Sequence, residues 1–194
     1  MLKFNCIVPR VFLKMNGVKY GKKLKLIGWP FIFKFPKAKI SIGSGVKINS
    51  NFWSNLLGIY QRSIIVAKRG ATIEIGDNVG MSGVTIYALE KIQIGNDCLI
   101  GANVKIIDND FHPVEPEARL SCDNSKIGHK PVYIGKNVFI GMNSIILKGT
   151  KIGDNCVIGA GSVLHGEFPD NCIIAGNPAK IIRVIDNEVS LDRC

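Results

Sequence analysis

The chain has 194 residues, 46% of them hydrophobic, with 25 Lys or Arg set against 15 Asp or Glu. That size suits one domain able to bury a core, and no apolar run approaches the ~18 residues that a membrane-spanning helix requires. The opening residues MLKFNCIVPR are broken by Asn5 and Pro9 too early for a signal-peptide core, so a cytoplasmic protein is expected.

Residues 1–73 hold 14 of the basic residues and no acid, together with Phe4, Phe12, Trp29, Phe31, Phe33, Phe35, Phe52 and Trp53. Three readings stay open. The segment is a solvated basic face; it contacts an anionic membrane, which Lys among exposed aromatics suits; or it binds nucleic acid, for which no recognised motif is present. No nucleic-acid partner is expected. Residues 1–23 are set apart as a basic, aromatic N-terminal cap.

A repeating unit runs from 24 to 184. Ala38 to Ser50 (AKISIGSGVKINS) parallels Ala71 to Ser82, and Ile75-Gly76-Asp77-Asn78-Val79 recurs as Ile94-Gly95-Asn96-Asp97-Cys98. Further on the rhythm is strict. Ile134, Ile140, Ile146, Ile152, Ile158 and Leu164 fall every sixth residue, and Val138, Ser144, Thr150, Cys156 and Ser162 sit four places after five of them. A period of six is neither helical nor simple strand alternation; it marks a parallel β-helix. Ile134-Gly135-Lys136-Asn137-Val138 returns eighteen residues later as Ile152-Gly153-Asp154-Asn155-Cys156, so one coil has three faces, and coils stack at ~4.8 Å. The large apolar residue fills the interior, and Gly with Asn or Asp takes the turns. An ordinary sandwich would turn roughly every 8–12 residues instead. Of the six cysteines, Cys98 and Cys156 take the small inward position, where a thiol acts as a compact apolar group. With no CxxC spacing, reduced thiols and no metal site are expected. Residues 185–194 form a tail.

Between Ile106 and Ile134 the hexads stop, leaving a loop at 108–131. An insertion in a solenoid projects outward, and such loops carry function. This one opens with Asp108, Asp110 and His112, stiffened by Pro113 and Pro116, then Glu115, Glu117 and Arg119. A His beside carboxylates suits a general base, the acid holding the imidazole in one tautomer. His129 is a structural or rim residue, and His165 sits in a surface turn. No GxSxG, P-loop or GxGxxG motif is present.

The hexads, the His112-Pro113 loop with its Pro-Glu-Ala-Arg sequel, Pro131-Val132-Tyr133-Ile134-Gly135, Ile158-Gly159-Ala160-Gly161-Ser162-Val163 and Ala175-Gly176-Asn177-Pro178-Ala179-Lys180-Ile181-Ile182-Arg183 resemble hexapeptide-repeat O-acetyltransferases. The maltose and galactoside enzymes and those of capsule and exopolysaccharide clusters are the most similar. The resemblance implies an all-β, left-handed parallel β-helix, an exception to the right-handed rule. It also implies a homotrimer with sites between subunits, and transfer from acetyl-CoA to a sugar hydroxyl without an acyl-enzyme. His112, helped by Asp110, aligns with the general base. The amide of Met142, after Gly141, aligns with an oxyanion donor; Gly159 and Ala160 flank the pantetheine arm; Lys180 and Arg183 meet the CoA phosphates. Phe139 stands where the family usually has Trp. On the acceptor side are Asp108, Ser82 and Glu90, the last two equally readable as plain turn residues. The family's Thr-Lys turn is His165-Gly166 here.

The N-terminus departs from the maltose and galactoside pattern. In place of a helical segment shaping the sugar pocket stands the basic, aromatic stretch, with residues 1–37 as a membrane-facing cap. That favours a lipid-linked saccharide over a free disaccharide, a role in surface polysaccharide synthesis, and peripheral attachment at the inner face of the membrane. The rivals are N-acetyl transfer to an amino sugar, serine O-acetyl transfer, a γ-type carbonic anhydrase with three metal-binding histidines, and a non-catalytic β-solenoid scaffold.

Overall fold

The computed structural model describes residues 7–185. The first six residues of the expected cap, and the tail beyond Ile185, lie outside the described residues. Helix α1 (Ile7–Met15) comes first. Its Leu13 is buried against the first coil, and the Arg10 guanidinium donates to the Leu24 carbonyl.

Strands then follow in threes. The first coil is β1 (Lys19–Tyr20), β2 (Lys25–Gly28) and β3 (Phe31–Lys34); the second is β4 (Lys39–Ile42), β5 (Lys47–Ser50) and β6 (Ile64–Ala67). The third is β7 (Thr72–Ile75), β8 (Gly80–Ser82) and β9 (Thr85–Ala88); the fourth is β10 (Lys91–Ile94), β11 (Leu99–Ala102) and β12 (Lys105–Ile107). The fifth is β13 (Val132–Ile134), β14 (Phe139–Ile140) and β15 (Ile145–Ile146); the sixth is β16 (Lys151–Ile152), β17 (Val157–Ile158) and β18 (Val163–Leu164). The chain ends with β19 (Glu167–Phe168), β20 (Cys172–Gly176) and β21 (Ala179–Val184). Each strand pairs in parallel with its counterpart one coil away, giving sheets of seven, eight and six strands. These are called the first, second and third faces, from β1, β2 and β3. Among the described strands only β21 runs antiparallel, folding back on β20 and covering the open edge of the second face.

The eighteen-residue return holds where the hexads are strict, as in Tyr133 with Lys151, Phe139 with Val157 and Ile145 with Val163. All six repeating large residues from Ile134 to Leu164 are buried. The small positions are buried as well, and their polar atoms serve the backbone: Ser144 Oγ donates to the Gly159 carbonyl at 3.0 Å and Thr150 Oγ1 to that of Leu147 at 2.7 Å. A larger side chain there would fill the space its neighbour's main chain needs. Burial pushes the thiols of Cys98 and Cys156 above their ordinary pKa. At one corner, Asn78, Asn137 and Asn155 take positive φ and hydrogen-bond from coil to coil, Asn137 Nδ2 to Asn155 Oδ1 at 3.0 Å. Gly95 is needed for close stacking: a Cβ there would lie 2.4 Å from the Gly135 carbonyl oxygen.

Two excursions interrupt the coils. One is the expected loop after β12. The other, at 51–63 between β5 and β6, stretches the step from β3 to β6 to 33 residues (Phe31 with Ile64). The insertion adds to coils that are already longer than eighteen residues, as in Lys25 with Lys47, Ile64 with Thr85 and Thr72 with Lys91.

Candidate active site

The loop at 108–131 leaves the edge between the third and first faces, and its base is closed by main-chain bonds. Asp110 N donates to Gly128 O at 3.0 Å, Lys130 N to Asp108 O at 2.9 Å, and Asn109 bridges His129. Asp108, expected on the acceptor side, is fully buried. Its carboxylate accepts the amide N–H groups of Leu89, Glu90 and Lys91 at 2.7–2.8 Å and Asn109 Nδ2 at 3.0 Å, which leaves it no open position toward a ligand. It ties the loop to the turn before β10.

Asp110 is taken by Lys148, which forms an ion pair with it. The His112 ring is exposed and makes no hydrogen bond among the described residues, although its amide donates to the Asp110 carbonyl at 2.7 Å. The expected contact between the two side chains is not formed within the subunit. Phe111 holds a φ of +61°, unusual for a bulky residue, and packs its ring 4.9 Å from that of Tyr87. With Phe111 pinned, His112 is turned outward, the kind of strain that clusters at functional sites. Beyond it, Arg119 Nη1 donates to the carbonyls of Pro113 and Val114, stapling the loop over helix α2 (Pro116–Leu120). Further along, the Ser125 hydroxyl and amide hold the Asp123 carboxyl below the usual range. Glu90 Oε2 pairs with His129 Nδ1 at 2.7 Å on the same edge, and His165 is exposed there too.

The remaining candidates sit elsewhere. Gly141, Met142, Gly159 and Ala160 form turns at the edge between the second and third faces. The amides of Met142 and Ala160 donate to nothing among the described residues, whereas Gly141 N and Gly159 N are spent on the coil above. Gly101 is what lets Met142 come close, since a Cβ there would lie 2.7 Å from the Met142 nitrogen. Ser82 and Phe139 share a groove on the second face with Lys47, Asn49, Leu99 and Gly101. Lys180 and Arg183 stand exposed on β21, which is paired to that face.

The structure thus divides the candidates between two edges of a triangular prism. Glu90, Asp110 and His112 occupy one. The Met142 amide occupies the other, a full face away, with Ser82 and Phe139 in the groove on the second face beside it. Two residues were not foreseen. Lys148 falls on an ordinary hexad position whose partner only the loop supplies. Asn49 is buried beneath the groove, donates Nδ2 to Ser82 Oγ at 3.0 Å and keeps its side-chain Oδ1 without a partner among the described residues; a polar residue at an interior-adjacent position was the available signal. Among the described residues no group of three or more His, Cys, Asp or Glu gathers as a metal site would require.

The model for the hexapeptide repeat of succinyl-transferase matches residues 91–107 and 131–165, the stretches on either side of the loop. Over 169 residues the chain is 33% identical to the putative lipopolysaccharide biosynthesis O-acetyl transferase WbbJ of Escherichia coli (strain K12), covering 82% of each chain. The chain belongs to the hexapeptide-repeat acetyltransferase family. Its solenoid is accordingly a left-handed parallel β-helix. It is also 39% identical over 119 residues to the galactoside O-acetyltransferase of E. coli (strain K12), a match that covers 61% of this chain and 57% of that relative's length. Among solved structures, a galactoside acetyltransferase in complex with coenzyme A matches with a TM-score of 0.52 at 28% identity, over 92% of this chain and 70% of that one.

Proposed function

We propose that this protein transfers the acetyl group of acetyl-CoA to a sugar hydroxyl, with His112 as general base, in a homotrimer whose sites lie between subunits. The observation that carries the reading is the division just described. An unpartnered imidazole is held outward on one edge, and an unpartnered amide beside a groove is held on another, with a whole face of the prism between them. A neighbouring copy related by threefold rotation brings the two edges together.

In that arrangement His112 takes the proton as the acceptor oxygen attacks the thioester carbon. The C–S bond then breaks, and the thiolate leaves with that proton. The Met142 N–H receives the charge developing on the carbonyl oxygen. The exposed Lys180 and Arg183 suit the phosphates of the co-substrate. The groove over Asn49 and Ser82, walled by Phe139 and Leu99, suits a sugar: an aromatic side for its C–H face and a buried amide for a hydroxyl.

The acceptor is a saccharide of surface polysaccharide synthesis, carried on a lipid, and the enzyme works at the cytoplasmic side of the membrane. The likeness to WbbJ supports this reading, as does the basic N-terminal third. The test is acetyl-CoA consumption against a panel of sugars and nucleotide sugars, with mass spectrometry of products. Formation of an O-acetyl ester that is lost in His112→Ala bears the proposal out. An N-acetyl product, or turnover undiminished in that variant, overturns it.

A further inference from the structure

Between β5 and β6 the chain runs through ten residues without a charge, 51–60, and five large apolar side chains there stand in solvent. Leu56 is 92% exposed, Trp53 75%, Tyr60 68%, Leu57 67% and Phe52 62%. The segment is nonetheless clamped. Asn103 donates Nδ2 to Gly58 O at 3.0 Å and accepts from Tyr60 N at 3.3 Å, and Gln61 Nε2 donates to Gly83 O and Thr85 Oγ1. Ile59 is buried against the coil above. A loop held by its base with an apolar tip turned outward is an exposed patch with a purpose.

The patch continues on the first coil. Pro30 and Ile32 point inward, so Trp29, Phe31, Phe33 and Phe35 point outward, with ring contacts from Phe31 to Phe33 and from Phe33 to Phe35. Cations lie against these rings: Arg62 over Phe31 at 5.6 Å, Lys68 over Phe35 at 4.3 Å and Lys105 over Tyr60 at 5.3 Å. No acid occurs anywhere in residues 1–73.

We propose that the N-terminal coils dock on an anionic lipid bilayer, with the tip of loop 51–60 and Trp29 seated at the boundary between head groups and acyl chains. Charge complementarity selects this occupant. A second copy meeting this one through the same patch would set one acid-free basic segment against another, whereas anionic head groups neutralise it. Indole and phenol rings beside Lys and Arg are the side chains that settle at that depth. The proposed face lies along the side of the solenoid: the rings project from β3, and loop 51–60 reaches Asn103 and Lys105 of the fourth coil. The His112 loop leaves that same coil, so a saccharide head group on a lipid carrier would meet the protein at its level, a use that rests on the acetyl-transfer reading above.

The chain has two tryptophans, Trp29 and Trp53, and both lie in the proposed face. The measurement is tryptophan emission of the whole protein with vesicles of phosphatidylcholine alone or with phosphatidylglycerol, without acetyl-CoA or acceptor, alongside co-sedimentation and oligomer mass. Vesicles containing phosphatidylglycerol are expected to shift emission to the blue, and brominated acyl chains to quench it. Salt should weaken the effect, and neutral vesicles should give little of it. The double variant Trp53→Ser, Leu56→Ser should bind at least ~10-fold more weakly, with oligomer mass and turnover of a soluble acceptor unchanged. Absence of both shift and quenching overturns the proposal, as does a double variant that binds like the parent. So does one that falls into smaller oligomers, which would assign the face to a contact between copies. Failure here leaves acetyl transfer in solution untouched, and failure of transfer leaves vesicle binding untouched.

Discussion

Lys148 holds the Asp110 carboxylate in an ion pair, so the acid two residues before His112 in the chain is not its partner in the subunit. The pair links the loop base to the turn before β16, and each side chain is about a quarter to a third exposed. Such a link positions the loop more than it stabilises the fold.

His112→Ala is therefore expected to lower acetyl transfer by at least ~10²-fold, the scale of a lost general base. Asp110→Ala and Lys148→Met should each lower it by roughly tenfold, through a displaced imidazole. Steady-state kinetics on the three variants checks this ranking. An Asp110→Ala loss equal to that of His112→Ala would mean that the carboxylate meets the ring directly in the assembled enzyme.

Asp108 is a different case, because its substitution strands three main-chain amides and the Asn109 side-chain amide around a fully buried position. At ~1–3 kcal/mol for each unsatisfied group, Asp108→Ala should reduce unfolding free energy by at least ~3 kcal/mol. Denaturant titration measures it, and a loss below ~1 kcal/mol would show that water replaces the carboxylate.

If each site draws on two subunits, two dead chains can repair one another. His112→Ala and the pair Lys180→Glu, Arg183→Glu are each expected to be nearly inactive alone. In mixed trimers isolated with two different tags, about one site in three is complete, and activity should return in that proportion. Mixed trimers no more active than their parents would place the whole site within one chain.

The buried thiols offer a check on the solenoid interior. Burial raises the pKa of Cys98 and Cys156, so less thiolate is present at any neutral or mildly alkaline pH, and thiolate is the reactive form. Among the described cysteines only Cys122 is exposed. Alkylation at pH ~8 followed by peptide mapping should label Cys122 at least ~10-fold faster than Cys98 or Cys156. Comparable rates would mean that the inward position is open to solvent.

Much of this architecture is legible along the chain. Ile134 through Leu164 at every sixth place, with Ser144, Thr150 and Cys156 four places on, dictates a three-sided coil, because only that geometry returns each large side chain to the interior and each small one beside it. The break after Ile107 marks where a loop must leave, and His112 stands in it. The excursion at 51–63 was hidden, since its apolar residues look like a poorly kept hexad.

Which edge each turn occupies is another matter. It depends on the summed length of every coil before it, and both insertions alter that sum without leaving a periodic trace. For the same reason the partners of Asp108, Asp110 and Glu90 come from coils 17 to 39 residues away. Local pattern settles which side chains point inward, because that obeys a period of six. Stacking alone settles which of the outward ones meet, because contact between coils is a matter of register, and register is set by the whole chain.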